Sequence, residues 1–265
     1  MTDPSADLPE LFDLDYGDFA DDLPFYENLA RRCEGPILEL GVGTGRVAIP
    51  LARAGFEVWG IDISQAMLTR ARCKAGPELE GRLRLLPGDM RDFDLKRRFD
   101  LIFAGLGAFH HLLTPGDQAA CLSCVQRHLA PGGLFVCDLR PFFHEDWEEG
   151  GSVPLFHDWT RVLPGTGETV MKFRSVSVDR VRQVKRETHV YDRLSPDGTL
   201  RRVVVPIDLR FTTLYEMEGL LREAELELDH AYGDFDLSPY DGASEYMITI
   251  ARRPTPPPEA GGAKE

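Results

Sequence analysis

The sequence predicts an α/β protein: a mostly parallel sheet with helices on both faces, plus an antiparallel β insertion late in the chain. Three observations predict it. From Ile37 to Leu139 short apolar segments alternate with amphipathic ones, the pattern of strand–helix–strand units. From Leu155 to Phe211 the segments alternate with period two and are separated by turn residues, as in an antiparallel meander. A helical segment and two apolar segments then return to the first pattern.

Taken in order, residues 1–34 form an N-terminal helical cap, in which Leu23–Arg32 reads as a helix lying over the open end of the sheet. The predicted core occupies residues 35–154 and 212–253. Its strands are Ile37–Leu40, Glu57–Ile61, Leu83–Leu86, Phe99–Ala104 and Leu134–Asp138, and its helices lie near Arg46–Ala54, Gln65–Ala71 and Pro115–Leu129. The third helix has a clear start, with Thr114 as cap, Pro115 in the first helical position and Asp117 in the first turn. It should stop at the breaker cluster Ala130-Pro-Gly-Gly133. Residues 155–211 form the insertion, a substrate lid or wall, with strands at Val170–Val178, Arg182–Tyr191 and Leu200–Phe211 and a turn at Ser195-Pro-Asp-Gly198. Thr213 with Glu216 makes a capping box for a helix to about Ala224. Strands Leu226–Tyr232 and Tyr246–Ala251 complete the core, and the Pro-, Gly- and Ala-rich tail 254–265 is expected to be disordered.

Composition narrows the partners. With a net charge of −14 the chain would be repelled by phosphate backbones, and its densest basic stretch, Arg180–Arg186, reads as the solvent face of a strand. Nucleic acid is therefore not expected. The acidic N-terminus carries no leader-like apolar run, and the longest apolar stretch, Leu101–Phe109, is roughly half what a membrane helix needs, so a cytoplasmic protein with no membrane partner is expected. Five cysteines without framework spacing indicate reduced thiols. Cys121, Cys124 and His128 share a helical face, but Leu122, Val125 and Leu129 beside them make packing the better reading than a metal site. No metal is expected.

The most informative segment is Ile37-Leu-Glu-Leu-Gly-Val-Gly-Thr-Gly-Arg46, a strand running into three alternate glycines and then a helix. Glycines there allow a sharp turn and close backbone approach to a ligand. Acids follow at successive strand ends. Asp62 ends the second strand and suits two ribose hydroxyls, and Asp89 ends the third and suits an exocyclic amine of adenine. Glu39, ahead of the first glycine, suits the ammonium of an amino-acid moiety. Together they describe a nucleoside with a cationic extension. A dinucleotide would want a glycine where Arg46 stands, and its pyrophosphate would be opposed by Glu39.

Glu39-Leu-Gly-Val-Gly-Thr-Gly45, Asp62, Gly88-Asp-Met90, Phe99-Asp-Leu-Ile102 and Leu129-Ala-Pro-Gly-Gly133 resemble the ordered motifs of class I S-adenosylmethionine (SAM)-dependent methyltransferases. The resemblance covers residues 15 to 140 closely and the remainder loosely. It implies a Rossmann-like seven-stranded sheet whose last strand is antiparallel, with SAM as cofactor. It would place Glu39, Gly41, Gly43 and Gly45 along the methionine part, Asp62 at the ribose, and Asp89 with Met90 at the adenine, with Ile63 also assigned to the cofactor. It also assigns Gly105, Tyr16 and Tyr26 to the cofactor, the tyrosines resembling aromatics that cover SAM in small-molecule relatives. The implied function is methyl transfer to a nitrogen or oxygen of a small molecule, without a metal. The alternatives are a SAM-binding sensor or subunit without catalysis, and a dinucleotide-dependent oxidoreductase.

Transfer from a sulfonium needs mainly positioning and exclusion of water, with a base only if the acceptor must lose a proton. After the fourth strand, Gly105-Leu-Gly-Ala-Phe-His-His111 offers His110 and His111 as candidate bases and Phe109 as a pocket wall. Arg210 and Tyr215, flanking the return from the insertion, are candidate substrate contacts. The chain is expected to act as a monomer or homodimer on a small-molecule acceptor. If Asp62 holds the ribose, Asp62→Ala should weaken SAM binding by about 1–3 kcal/mol in calorimetric titration, and unchanged affinity in the folded variant would refute the assignment.

Overall fold

The computed structural model describes residues 4–141, 154–163 and 165–254, with side chains from residue 7 onward. Along the chain run α1 (Pro4–Tyr16), α2 (Leu23–Arg32), β1 (Ile37–Leu40), α3 (Ala48–Arg53), β2 (Val58–Asp62), α4 (Gln65–Ala75), β3 (Leu83–Pro87) and β4 (Phe99–Ala104). They are followed by α5 (Pro115–His128), β5 (Leu129–Leu139), β6 (Phe156–Val162), β7 (Thr169–Asp179), β8 (Val184–Leu194) and β9 (Leu200–Arg210). Then come α6 (Leu214–Glu223), β10 (Glu227–Tyr232) and β11 (Met247–Arg252). Among the described residues no helix is long and apolar enough to cross a membrane.

The main sheet has seven strands in the order β10-β11-β5-β4-β1-β2-β3. Strands β1 to β5 pair in parallel, whereas β11 runs antiparallel to both β5 and β10. Strand β1 lies between β2 and β4, so the connections from its two sides diverge there and open a crevice at the carboxyl edge of the sheet. Alternate side chains of β1 feed two cores. Ile37 packs with Leu101, Phe103 and Val136 in the layer that includes α2, α3 and α4. Leu38 and Leu40 pack with Ile102, Leu122, Val125 and Phe135 in the layer under α5 and α6. Both faces are covered, so β1 is buried along its whole length.

Several elements depart from the sequence reading. The cluster Ala130–Gly133 does not interrupt the chain: β5 begins at Leu129, directly after α5, and its register against β4 shifts between Phe99 and Leu101. A Cβ on Gly133 would lie 3.0 Å from the Asp100 carbonyl, so the breaker residues build a bulge. The insertion is a separate antiparallel sheet of four strands, β6-β7-β8-β9, where three segments were expected. Strand β6 escaped notice because its Phe-His-Asp-Trp-Thr-Arg-Val sequence is mostly exposed and lacks clean alternation. The turn at Ser195–Gly198 forms as expected, closed by Gly198 N–H donating to Ser195 O at 2.9 Å. The tail beyond Pro254 lies outside the described residues.

Helix α1 is the larger surprise. It carries Pro9 and four acids in its described part, and its hold comes from elsewhere in the chain. Leu11 packs with Leu163, Val170, Tyr191 and Val203 of the insertion. Glu10 pairs with Arg193 at 2.7 Å and Asp7 with Arg201 at 2.8 Å. On its other side Asp13 accepts from Thr44 Oγ1 of the glycine loop at 2.7 Å and pairs with Arg70 and Lys74 of α4. Burial alone would push the Asp13 carboxyl up, but its bonds to Lys74, Thr44 and Arg70 outweigh that and hold it below the usual range.

Helix α2 is fixed by a buried ion pair. Arg46 donates to both carboxylate oxygens of Asp22, at 2.7 and 2.5 Å, and to the Phe19 carbonyl at 3.0 Å. The Asp22 side chain is fully buried, so removing it strands a guanidinium away from water. Asp22→Ala should therefore cost about 3–5 kcal/mol in urea unfolding, well beyond an ordinary surface change.

Candidate cofactor and acceptor site

The crevice is built first by the glycine loop. Gly41, Gly43 and Gly45 all have left-handed backbones, with φ of 71°, 54° and 79°. Gly45 has no room for more than hydrogen, since a Cβ there would lie 2.8 Å from Ile49 Cδ1. The loop is closed by Asp62, the last residue of β2. Asp62 Oδ2 accepts from Gly43 N at 2.8 Å and Oδ1 from Ser64 N at 2.8 Å, so the carboxylate is fixed in orientation and keeps further lone pairs for a ligand. Ile63, next in the chain, is 78% exposed, an apolar side chain held out beside that carboxylate.

Under the loop, Glu39 is buried and its Oε2 has no hydrogen-bond partner among the described residues. Burial raises its pKa to about 8, against the pull of Arg46. An orphaned, buried carboxyl oxygen beside the glycines fits a cationic ligand group, because only an added donor would satisfy it. The residues present thus suit the ammonium of a methionine moiety.

At the end of β3, Asp89 is already engaged by Arg91, whose Nη2 lies 2.6 Å from Oδ2 and which also bridges to Asp117 at 2.9 Å. These bonds hold the Asp89 carboxyl below its usual range, and an adenine amine would share it with Arg91. Met90 Cε packs toward the glycine loop, 3.5 Å from where a Cβ on Gly41 would stand.

After β4 the chain turns through Gly105, Leu106 and Gly107. Leu106 has φ 51°, a left-handed backbone that costs a leucine of order 1 kcal/mol. Asp138, buried at the end of β5, holds this turn: Oδ1 accepts from Gly107 N at 2.9 Å and Oδ2 from Tyr26 Oη at 2.6 Å. Gly105 sits over that pair, with a Cβ position only 3.3 Å from the tyrosine hydroxyl. Residues Ala108–His111 then form one 3₁₀ turn.

The two histidines differ sharply. His110 is buried, its Nδ1 2.8 Å from the Arg210 carbonyl and its Nε2 3.1 Å from the Arg140 amide N–H. The amide can only donate, so Nε2 accepts and Nδ1 carries the proton. Burial lowers its pKa to about 4. His111 stands exposed on the rim, with no hydrogen bond to its ring among the described residues. The protein crowded around it still displaces enough water to lower its pKa, against the opposing pull of Asp62. That pull places His111 within electrostatic reach of the carboxylate that closes the loop.

Several expected contacts do not lie in the crevice. His110 has no spare lone pair for a base, because both ring nitrogens serve backbone groups. Tyr26 is fully buried, stacked 4.4 Å from the Phe103 ring centroid, so it supports the floor and cannot cover a ligand. Phe109 is likewise fully buried in the core and cannot wall a pocket. Arg210 is buried between Gln118, Gln183 and the Phe211 carbonyl, where it joins the insertion to α5. Tyr215 is 84% exposed on the first turn of α6 and stands in solvent.

Tyr16, at the end of α1, is half-buried within electrostatic reach of Asp15, Glu187, Arg140 and Arg174, where burial raises its pKa to about 12. It therefore lies between the insertion and the end of β5. Sequence reasoning missed its neighbours. Phe12 approaches the Gly43 Cβ position to 3.9 Å, and Asp15 joins Lys172, Tyr191 and Trp159 of the insertion. The signal was the acidic-aromatic run Leu11-Phe-Asp-Leu-Asp-Tyr16. The Cys121, Cys124 and His128 face is packing: His128 Nδ1 meets the Cys124 carbonyl at 2.8 Å and Nε2 accepts from Leu95 N at 3.0 Å.

Residues 37–133 match a family model described as a methyltransferase domain. The chain is 31% identical over 238 residues to the dTDP-3-amino-3,4,6-trideoxy-alpha-D-glucopyranose N,N-dimethyltransferase of Streptomyces venezuelae, spanning 86% of this chain and 92% of that protein. A match to YqeM of Bacillus subtilis, 34% identical, is local, covering 42% of this chain and 44% of that protein. Among solved structures, the CcbJ methyltransferase from Streptomyces caelestis superposes with a TM-score of 0.74 at 28% identity, over 89% of this chain and 90% of that one.

The raised pKa of Glu39 gives a signed prediction. Near neutral pH the free protein holds this carboxyl protonated, whereas a bound ammonium favours the carboxylate, so binding releases a proton. SAM affinity should rise with pH, by up to about tenfold per unit, and level off above about 8. Calorimetry in buffers of different ionisation enthalpy should register the proton, and Glu39→Gln should abolish both effects.

Proposed function

The chain belongs to the class I SAM-dependent methyltransferases, enzymes with SAM as cofactor, and from that premise we propose that it methylates an amino nitrogen on a small molecule of amino-sugar type. The observation that carries the reading is His111: an exposed imidazole on the rim of the crevice, its ring without a hydrogen bond among the described residues and its pKa lowered by its surroundings against the pull of Asp62. Support for a nitrogen acceptor comes from the Streptomyces venezuelae relative, whose name specifies N,N-dimethylation of an amino sugar.

When bound, SAM supplies an electrophilic methyl group on a sulfonium. The chain's own residues do the rest. Glu39 offers its unpartnered oxygen to the ammonium, and Asp62 takes ribose hydroxyls while keeping its bonds to Gly43 and Ser64. Ile63, Met90 and Asp89 flank the base, Gly105 keeps the wall after β4 thin, and Tyr16 closes the side toward the insertion. His111 accepts a proton from the acceptor nitrogen at a ring nitrogen, leaving the lone pair on the acceptor free to attack. His110 is a positioning residue: by clasping the Arg140 amide and the Arg210 carbonyl it anchors the turn that presents His111. Because the His111 pKa is depressed, its acceptor form persists at neutral pH, and the rate should fall only as pH drops below the ordinary histidine value of about 6.5.

The test compares release of S-adenosylhomocysteine with a nucleotide-linked amino sugar and with its hydroxyl analogue. Turnover is expected with the amine alone, and turnover with the hydroxyl compound alone would reverse the reading. His111→Asn should lower kcat by about 10²–10⁴-fold with SAM affinity unchanged, and a variant retaining full rate would remove His111 from the mechanism.

A further inference from the structure

We propose that a hollow at the sheet edge opposite the glycine loop is an anion site that takes a phosphoryl group. The hollow, of about 350 Å³, is lined by Asp94, Lys96, Arg97, Arg98, Arg127 and His128. Its surroundings come from elements that meet at the amino-terminal edge of the parallel strands. Arg98 precedes β4, Arg127 lies in the last turn of α5, and Arg253 follows β11, whose antiparallel course ends at the same edge.

The charges there do not balance. Lys96 is paired with Asp94, and Arg97 makes two bonds to Glu57 at 2.6 and 2.9 Å. His128 has both ring nitrogens committed to backbone groups. Three guanidiniums remain. Arg98 donates to the Leu129 carbonyl at 3.3 Å and Arg127 to the Cys124 thiol at 2.9 Å. Arg253 donates to the Gln126 carbonyl. None of the three has a carboxylate within ion-pair distance among the described residues, in a chain whose net charge is −14. Of the neighbouring acids, Asp94 lines the hollow beside Lys96, and Glu225 accepts from Gln126 at 3.3 Å while its charge also acts on Arg253.

Two further observations concern Arg253. Arg253 Nε is buried without a hydrogen-bond partner. Burial and then the charge of Arg98 lower the Arg253 pKa, against the opposing pull of Glu225, so two guanidiniums lie within each other's field. A tetrahedral oxyanion in the hollow would offset the crowding of like charges, since guanidinium forks match phosphate geometry. The site is distinct from the cofactor crevice and independent of the reading of His111.

The test is thermal unfolding of the full chain with inorganic phosphate, against sodium chloride at matched ionic strength. Phosphate should raise Tm by the amount that ligand linkage requires, and chloride should not. Arg98→Gln with Arg127→Gln should abolish that shift while leaving stabilisation by SAM unchanged; both side chains are exposed, so the fold should survive. A nucleoside diphosphate arm separates sources: tighter stabilisation than by inorganic phosphate identifies a nucleotide, and equal or weaker stabilisation identifies free phosphate. No phosphate-specific shift in the native chain, or an undiminished one in the double variant, would overturn the proposal.

Discussion

The crevice depends on how one buried guanidinium is shared. Arg46 leaves the glycine loop and turns inward, where Asp22 takes both of its Nη groups and Glu39 feels only its field. Had Glu39 captured Arg46 outright, the carboxylate would be neutralised and no cation would be needed beside the loop. Because Asp22 holds it, Glu39 keeps an unmatched oxygen, and burial makes that oxygen costly until a donor arrives. The same pair fastens α2 to the sheet, so the structural anchor and the ligand preference share one interaction.

A second constraint is the strap formed by α1. Asp13 faces the glycine loop and α4, and Asp15, two residues on, faces the insertion. The helix thereby joins the two sheets across the mouth of the crevice, with Phe12 over the loop and Tyr16 toward Arg140 and Glu187. Ion pairs that are partly shielded from water, as Asp15 with Lys172 is, depend on mutual geometry more than exposed pairs do. Placement of the insertion and placement of α1 are consequently one problem.

The turn after β4 shows how neighbouring identical residues acquire different work. Asp138 and Tyr26 lock Gly105–Gly107 from below, and the left-handed Leu106 is tolerated because that network over-determines it. His110 is drawn under the chain, where two backbone groups claim it, and His111 is left on the rim.

The sequence by itself determined the sheet, its parallel order of appearance, the glycine loop and the acids at the tips of β2 and β3. These rest on local periodicity and on backbone freedom that glycine alone supplies, which are written along the chain. It also determined the helix boundaries where capping chemistry is local, as at Thr114 and Thr213. Tertiary structure decided the rest. Tyr26, Phe109 and Arg210 are residue types that suit a binding wall, and only packing revealed them as floor, core and strut. The difference between His110 and His111 arises from the carbonyl of Arg210 and the amide of Arg140, groups every residue carries and no side-chain pattern announces. The attachments of α1 were invisible for the same reason: its acids find their partners in Arg193, Arg201, Lys74 and Lys172, far along the chain. Local physics is legible in order of residues, whereas pairing across the fold is settled only when the chain closes on itself.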